Sequence, residues 1–518
     1  MTAMNQERIK VITLWAMCLA LFMANLDDTV INVALPKIQT SQAASVSGLQ
    51  WILNAYTLPV ASLVLPSGTL GDIYGRKRIF LAGLAIFTVA SVSCGFASNL
   101  GMLLAGRTLQ GIGAAALIPG SLAILTDSFP DPKEKTKAIG IWSAVSGLAL
   151  IAGPAFGGLL VDTLGWQSVF FLNLPLGVIT FRVTSRFVKE VKYPRKQTID
   201  LPGLMLSIVL LASLIYALTE GNAGMWRSPL ILWLLAVAGF SLLAFLVVES
   251  RSSHPMLPLH LFKNPTFAVV NVVQILVFFT LFSLLFIFSL FLQQVQQYSA
   301  TATGVRFLPM NGAFIIASFV SGWLAARLGW RFTILTGLTL ASLATFSFIR
   351  ISANTEDEAI VWSLILSGFG AGLTLAPLSA AAMNSAPPSK AGIASAVLNI
   401  STRLGGVLGI AIQGTILRQW LTSDLKRSLS AWGLPSDMQE QLLPNALHAG
   451  AKVPSALPAS ISGLAWQQAI SHAFVSGLHA VVLVASFILL AGALLILAFV
   501  RSTFGSVSRP KSSAITKK

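Results

Sequence analysis

The chain has 518 residues, of which 55% are hydrophobic and 10% are charged. Soluble domains carry about 25% charged residues, so this composition excludes an ordinary soluble enzyme and indicates a protein of the lipid bilayer. The net charge of +16 comes from basic residues in short segments between long apolar runs. That pattern is typical of cytoplasmic membrane loops and not of a nucleic-acid-binding face.

Fourteen apolar runs are long enough to cross a bilayer, for which a helix needs about 20 residues. They lie near residues 11–33, 49–70, 79–98, 102–126, 138–161, 167–187, 201–219, 229–248, 266–292, 304–326, 332–350, 359–383, 391–417 and 472–500. The chain is therefore predicted to be an all-α polytopic membrane protein.

Basic residues predict the orientation of these runs. They concentrate in the loops after the second, fourth and sixth runs, whereas Lys37 stands alone in the loops after the first, third and fifth. Loops rich in Lys and Arg stay in the cytoplasm, which places both termini there. We therefore expect a multi-pass protein of the cell membrane (plasma or inner).

The segment 418–471 between the last two runs would then be extracytoplasmic. It contains Pro435, Pro444, Pro454 and Pro458, which exclude a spanning helix. It is predicted to be a solvated connector, with a lid or a partner-docking element as alternatives.

A faint internal repeat divides the chain. GTLGDIYGRKR at 68–78 recurs as GWLAARLGWRF at 322–332, and GIGAAALIP at 111–119 recurs as GFGAGLTLAP at 368–377, in the same order. Two six-helix halves facing a central cavity are a transporter architecture. The predicted domains are residues 1–190, an inserted pair of helices at 191–255, and residues 256–518 with the loop 418–471.

Two adjacent carboxylates, Asp27 and Asp28, lie deep in the first run. Charges inside a bilayer are costly and mark transport pathways, and removal of water favours the protonated form of a carboxyl group. Such a group can exchange a proton, unless it reaches the membrane interface. Helical spacing places Asp28 on a polar stripe with Asn25, Thr29 and Asn32.

Two arginines lie within apolar runs. Arg107 shares a face of the fourth run with Gln110 and Gly111, and Arg403 lies in the thirteenth run. A guanidinium stays charged in proteins, so each must contact carboxylates or carbonyls. They are candidates either for coupling proton and substrate or for structural bonds to the backbone.

Glycine-rich strings mark two further features. In the fifth run, Pro154 cannot donate to the carbonyl of Leu150, which predicts a bend, and small residues allow close helix approach; the string comprises Gly153, Pro154, Gly157 and Gly158. The loop after the second run fits a cytoplasmic gate, in which the glycines allow a tight turn and the acid pairs with a neighbouring base; its residues are Gly68, Gly71, Asp72, Gly75, Arg76 and Lys77.

Six strings occur in order along these runs: LDDTVINVALP (26–36), WILNAYTL (51–58), GDIYGRKR (71–78), RTLQGIGAA (107–115), GPAFGG (153–158) and NISTRLGGVLG (399–409). Together they resemble the major facilitator superfamily, specifically its fourteen-helix drug:proton antiporters, the EmrB/QacA group. The resemblance implies two six-helix bundles plus two inserted helices. It also implies that Asp27 is the motif carboxylate, which we favour over Asp28, that Arg107 takes part in proton coupling, and that GPAFGG is the antiporter motif.

The expected function is proton-coupled export of small amphipathic or cationic compounds, and the family resemblance implies that these include drugs of several kinds. A specific metabolite exporter, an importer and a gated channel stay open as alternatives. The five histidines and two cysteines form no metal or catalytic pattern, and no Walker string is present. We therefore expect no enzyme activity, no metal and no cofactor, with the proton gradient as energy source. Expected partners are small-molecule substrates, protons, membrane lipid and, by the resemblance, an extracytoplasmic adaptor protein, but not nucleic acid.

Overall fold

The computed structural model of the chain describes residues 3–191, 200–221, 228–252, 255, 257, 259–353, 355, 357–386, 391–449, 457–458 and 461–500. Within these residues the chain forms helices and no strand. The α-helices are α1 (Ala3–Gln42), α2 (Val46–Tyr74), α3 (Arg76–Gly95), α4 (Leu100–Ser128), α5 (Pro132–Leu164), α6 (Ser168–Phe171), α7 (Asn173–Phe187), α8 (Leu201–Glu220), α9 (Pro229–Arg251), α10 (Pro265–Leu290), α11 (Ala300–Leu328), α12 (Trp330–Ser347), α13 (Asp357–Ser385), α14 (Ala391–Ala431), α15 (Ser436–Ala449) and α16 (Gly463–Phe499).

The predicted number of membrane spans is confirmed. Among the described residues, 13 helical segments are long and apolar enough to cross a membrane, and the bent helix α5 brings the number to 14. The sixth span consists of α6 and α7 together, Ser168–Phe187. The protein is therefore a multi-pass membrane protein.

The helices pack in two groups. Helices α1 to α7 contact one another and form the N-terminal group, and α10 to α16 form the C-terminal group. Helix α8 packs on α2 and on α14, while α9 packs on α8. We call the end of the bundle that carries residues 72–78 and 127–137 the basic end, and the other end the distal end.

The two groups are joined toward the distal end. Gln50 of α2 donates from Nε2 to the carbonyl oxygens of Ile410 (2.7 Å) and Ala411 (3.0 Å) of α14. Gln293, just beyond α10, donates to the carbonyl of Val33 on α1 at 3.0 Å. These bonds involve the second half of α1 and the first turns of α2, which lie far from the basic end.

Helices α5 and α11 contact each other near the distal end and have free space farther down. A Cβ built on Gly158 would overlap the backbone of Ala300 at the start of α11. At Gly147 of α5 and Gly312 of α11, in contrast, an added Cβ would have no neighbouring atom within 4 Å. The close contacts between these two helices are therefore concentrated toward the distal end.

The predicted bend of the fifth span is confirmed. The helix axis turns by 43° between Lys133–Leu150 and Ala152–Leu164. Pro154 lies just past this point, where it removes one hydrogen bond of the helix and crowds the preceding turn.

The prediction for residues 418–471 is wrong in part. Residues 418–431 are not loop, because α14 continues to Ala431 and has 41 residues, and α15 follows. Leu417, Leu421, Leu425 and Leu429 recur every four residues and are buried in one apolar cluster, which stabilises the extension of α14. Helix α16 also begins at Gly463, earlier than predicted. Pro454 lies outside the described residues.

Candidate coupling site and gate

Asp27 lies at the centre of a polar network inside the N-terminal group. Its carboxylate forms an ion pair with Arg107 of α4, and both side chains are almost completely buried. Gln110 donates from Nε2 to Oδ1 of Asp27 at 3.2 Å. Asn173, at the start of α7, donates to the same oxygen at 2.9 Å. Two helices of the group, α4 and α7, thus meet the carboxylate of a third, α1.

The guanidinium of Arg107 has further partners. Its Nε donates to the carbonyl oxygen of Ile52 at 3.2 Å, and its Nη1 donates to Oε1 of Gln110 at 3.0 Å. It also lies 4.4 Å from the ring centroid of Tyr56, a cation–π contact. Arg107 therefore contacts both a carboxylate and a backbone carbonyl, the two kinds of partner expected of a buried guanidinium.

Asp28 faces a different partner. Its carboxylate forms an ion pair with Arg403 of α14, in the C-terminal group. The two side chains retain exposed fractions of 7% and 13%, against 1% and 0% for Asp27 and Arg107. This pair crosses between the groups and is the more accessible of the two.

The predicted polar stripe on α1 divides among different neighbours. Asn25 donates to the hydroxyl of Ser146 on α5 at 2.8 Å. Asn32 donates to the backbone carbonyl of Asp28 at 3.2 Å, not to its carboxylate. The carbonyl of Asn32 accepts from Ser289 of α10 at 2.6 Å. Asn32 therefore contributes its backbone to the junction of the two groups.

The glycines of the fifth span allow tight packing on both sides of α5. A Cβ on Gly153 would overlap Thr29, and one on Gly157 would overlap Val30, both on α1. Gly158 faces Ala300 of α11, and Gly304 of α11 in turn leaves no room for a Cβ beside the carbonyl of Pro154. The string GPAFGG thus seals α5 against one helix of each group.

The predicted gate residues form an ionic chain at the basic end. Arg76 at the start of α3 pairs with Asp72 of α2 and Asp127 of α4, both at 2.9 Å. Lys77 donates from Nζ to the carbonyl of Ser185 at 2.7 Å. The acid does pair with a base of a neighbouring helix, and a second acid on α4 completes the chain.

Only one of the three gate glycines occupies a tight turn. Gly75 separates α2 from α3 with φ of 112°, and a Cβ there would lie 2.6 Å from the carboxyl group of Glu190. Glu190 accepts from the backbone N–H of Lys77 at 3.0 Å. Gly68 and Gly71 lie inside α2 instead, because the helix continues to Tyr74. The turn prediction is therefore wrong for Gly68 and Gly71.

Sequence reasoning missed several residues of these contacts. Asn173 is a lone amide in an apolar run two residues before a proline, and Ser91 accepts from Gln110 at 2.6 Å in the same network. Asp162 of α5 accepts from the backbone N–H and the hydroxyl of Thr301, at 2.8 and 2.7 Å. Asp162 thereby links α5 to the N-terminus of α11. Among the described residues, no three His, Cys, Asp or Glu side chains are grouped as metal ligands.

The fold and the paired charges between two helix groups define a membrane transport protein of the secondary-transporter type. The chain belongs to the Major Facilitator Superfamily, whose sequence profile matches residues 17–410.

The chain is similar over most of its length to several bacterial resistance proteins. Multidrug resistance protein Stp of Mycobacterium tuberculosis (strain CDC 1551 / Oshkosh) is 36% identical over 490 residues, which cover 93% of this chain and 90% of that protein. Methylenomycin A resistance protein of Streptomyces coelicolor is 35% identical, over 79% of this chain and 86% of that protein. Drug efflux pump JefA of M. tuberculosis is 34% identical, over 81% and 82%.

Solved structures agree on the fold. A bacterial homolog to the human lysosomal transporter Spinster, inward-facing and unoccupied, superposes with a TM-score of 0.68 at 19% identity, over 96% of this chain and 99% of that one. The human organic anion transporter MFSD10 (TETRAN) gives a TM-score of 0.58 at 15% identity, over 94% and 99%. The predicted family and fold are confirmed.

Proposed function

We propose that the protein is a proton-coupled exporter of small amphipathic or cationic compounds, and that several drugs are among them. The names of the relatives, which include multidrug resistance protein and drug efflux pump, support export of drugs. The observation that carries the proposal is the ion pair of Asp28 and Arg403, which joins the two helix groups. A site of this kind can exchange one charged partner for another while the groups change their arrangement.

The proposed membrane is the plasma or inner membrane, with both termini in the cytoplasm. The basic residues in the first turns of α3 and α5 support this orientation. The basic C-terminal residues Arg501, Arg509, Lys511, Lys517 and Lys518, which agree with it by sequence, lie outside the described residues. In this orientation the distal contacts close the outer side, so the structure corresponds to an inward-facing state.

In the proposed cycle, Asp27 carries the proton. Its charged form is held by Arg107, Gln110 and Asn173. A proton on Asp27 would remove the charge that holds the guanidinium of Arg107, so the contacts of α1 with α4 and α7 would weaken together. The proton gradient is the proposed energy source, and no further cofactor is required.

Asp28 is the proposed contact for a cationic substrate. A positively charged compound that enters between the groups would compete with Arg403 for the Asp28 carboxylate. Loss of the Asp28–Arg403 pair would remove one ionic contact between the two groups. Binding of proton and of substrate would thus favour different arrangements, which is coupling by linked equilibria.

The experiment that tests the proposal uses purified protein in proteoliposomes with an imposed pH gradient. We expect ethidium, a cationic dye, to be moved against its gradient in exchange for protons, with a saturating rate that a protonophore abolishes. The double variant Asp27→Asn, Asp28→Asn should be inactive in the same vesicles. Dye movement without saturation or proton exchange would contradict the proposal and indicate a channel.

The segment between α14 and α16 is a proposed lid, and docking of an extracytoplasmic adaptor protein is the alternative. Met438, Leu442 and Leu443 form an apolar face of α15, and Leu442 is fully buried in a cluster that α1 and α14 also join. This packing favours the lid. If residues 425–465 are replaced by a Gly/Ser linker, an adaptor role predicts intact vesicle transport with lost resistance across two membranes, and a connector predicts equal activity in both assays. Loss in both assays indicates a lid or a folding defect, since Leu425 and Leu429 are buried.

A further inference from the structure

The inserted helix α8 covers the line along which α2 and α14 meet, which we call the distal seam and define by Gln50, Ile410 and Ala411. Trp51 follows Gln50 directly, and Thr415 lies one helical turn beyond Ala411. Both side chains bind the last turn of α8. Helix α8 therefore contacts the two groups at the place where they are joined.

The bond to the N-terminal group uses the indole of Trp51. Its Nε1–H donates to Oε1 of Glu220, the last residue of α8, at 2.9 Å. The ring of Trp51 also contacts Tyr216, with 5.7 Å between the ring centroids. Tyr216 and Glu220 lie one turn apart on α8, so Trp51 binds a single face of that helix.

The bonds to the C-terminal group use the carbonyl oxygens at the end of α8. The last carbonyls of any α-helix lack partners within the helix. Here Thr415 donates its hydroxyl to the carbonyl of Leu218 at 2.7 Å. Arg418, also on α14 and buried, donates from Nη2 to the carbonyls of Thr219 (2.9 Å) and Gly221 (3.3 Å). A cation at a helix C-terminus also interacts favourably with the helix dipole.

We infer that α8 is a clasp across the distal seam, and that Trp51, Glu220, Thr415 and Arg418 are positioning residues for the transport cycle. When the groups separate at the distal end, α8 cannot keep both sets of bonds. Three hydrogen bonds and a charge hold it to α14, and one hydrogen bond with one ring contact holds it to α2. Helix α8 should therefore travel with α14 and release Trp51. This inference rests on the alternating access of the proposed function.

The decisive variant is Trp51→Phe, which removes the indole donor and keeps a ring against Tyr216. Loss of one net hydrogen bond should raise the ratio of distal-open to distal-closed molecules about two- to tenfold. Glu220→Ala should shift the ratio in the same direction and at least as far, because it breaks the same bond and also removes the carboxylate that interacts with the Arg418 guanidinium. Glu220→Gln keeps the acceptor oxygen and should resemble the parent.

The measurement is the distance distribution between spin labels at two exposed distal positions, Ser98→Cys and Ser352→Cys, in lipid vesicles. The two native cysteines are buried, and a chain without introduced cysteines checks their labelling. Ser207→Ala is the matched control, because the hydroxyl of Ser207 bonds only within α8, to Leu204. A label at Leu230 of α9, near the same end, should stay at a constant distance from Ser352 and move away from Ser98.

Two different failures can be told apart. If the parent chain shows two distance populations and Trp51→Phe leaves their ratio unchanged, the clasp is wrong while alternating access stands. If the parent shows one population at every pH and at every ethidium concentration, alternating access itself fails. A variant that no longer elutes as a single species is replaced by Thr415→Val, a near-isosteric change that should also raise the distal-open ratio.

Discussion

Asp27 and Asp28 are neighbours in the chain, yet they take part in two different kinds of contact. Successive residues of a helix point about 100° apart, so Asp27 faces α4 and α7 of its own group while Asp28 faces α14 of the other. A pair inside one group can persist when the groups move as bodies. A pair between groups has to break or change. Position along the membrane is nearly identical, so the partner and not the depth separates the two roles.

The largest expected effect is at the pair inside the N-terminal group. Asp27→Asn should abolish proton-coupled dye export, a loss of at least about 100-fold, because the protonatable group is removed and Arg107 loses its counter-charge. The protein should still reach the membrane, since the amide can accept from Asn173. Export is measured in cells together with the amount of protein in the membrane fraction. If Asp27→Asn exports at the parental rate and Asp28→Asn does not, then Asp28 and not Asp27 carries the proton.

The pair between the groups should show selectivity for charge. Asp28→Asn should lower export of ethidium about tenfold and export of a neutral drug of similar size less than about threefold, because only the cation needs the carboxylate. Initial rates over a range of substrate concentrations check this. An equal loss for both compounds would mean that Asp28 acts in the movement of the groups and not in substrate binding.

The ionic chain at the basic end also lies within one group, and we expect it to act on rate. Asp72→Asn and Gly75→Leu should reduce the maximal rate about three- to tenfold with little change in KM, since the chain holds the ends of α2, α3 and α4 in one arrangement and a leucine at φ of 112° is strained. Gly68→Ala is the control, because no atom lies within 4 Å of the added Cβ. A raised KM at an intact maximal rate would contradict this assignment.

The smallest effect should come from Asp162, which joins the groups without lying in the site. Asp162→Asn weakens the interaction of a charge with the N-terminus of α11, an effect of about 0.3–1 kcal/mol. The distal-open population should rise about two- to fivefold in the label pair at Ser98 and Ser352. Asp131→Asn is matched to it, because Asp131 caps α5 within its own group, and it should cause no shift. A shift of equal size in both variants would remove the distinction between the two kinds of contact.

Sequence patterns predicted the spans, the bend at Pro154 and most of the charged residues, because each depends on local periodicity or on one residue type. Partners were harder to predict. The pairing of Asp28 with Arg403 joins residues 375 positions apart, and no helical spacing relates them. Asn173 could have been suspected as the amide of an otherwise apolar run, but its contact with Asp27 depends on how α7 packs.

The error at residues 418–431 has a physical explanation. The first proline of the segment is Pro435, so prolines do not limit residues 418–431, where the leucines at every fourth position from Leu417 to Leu429 indicate a helix. With 41 residues, α14 is about 60 Å long, roughly twice the thickness of the hydrocarbon core. Membrane thickness limits the apolar part of a span and not the helix itself.

The net charge carried across the membrane in one cycle determines how voltage would act on the transporter. Asp27 and Asp28 are matched by Arg107 and Arg403, so the four side chains together carry no net charge. Exchange of one proton for one monovalent cation would then move no net charge across the membrane, and only the difference in pH would drive it. Exchange of one proton for a neutral compound would move one charge, to which a potential of 100 mV contributes about 2.3 kcal/mol. The same site would therefore export neutral compounds with a larger driving force than cations in an energised cell.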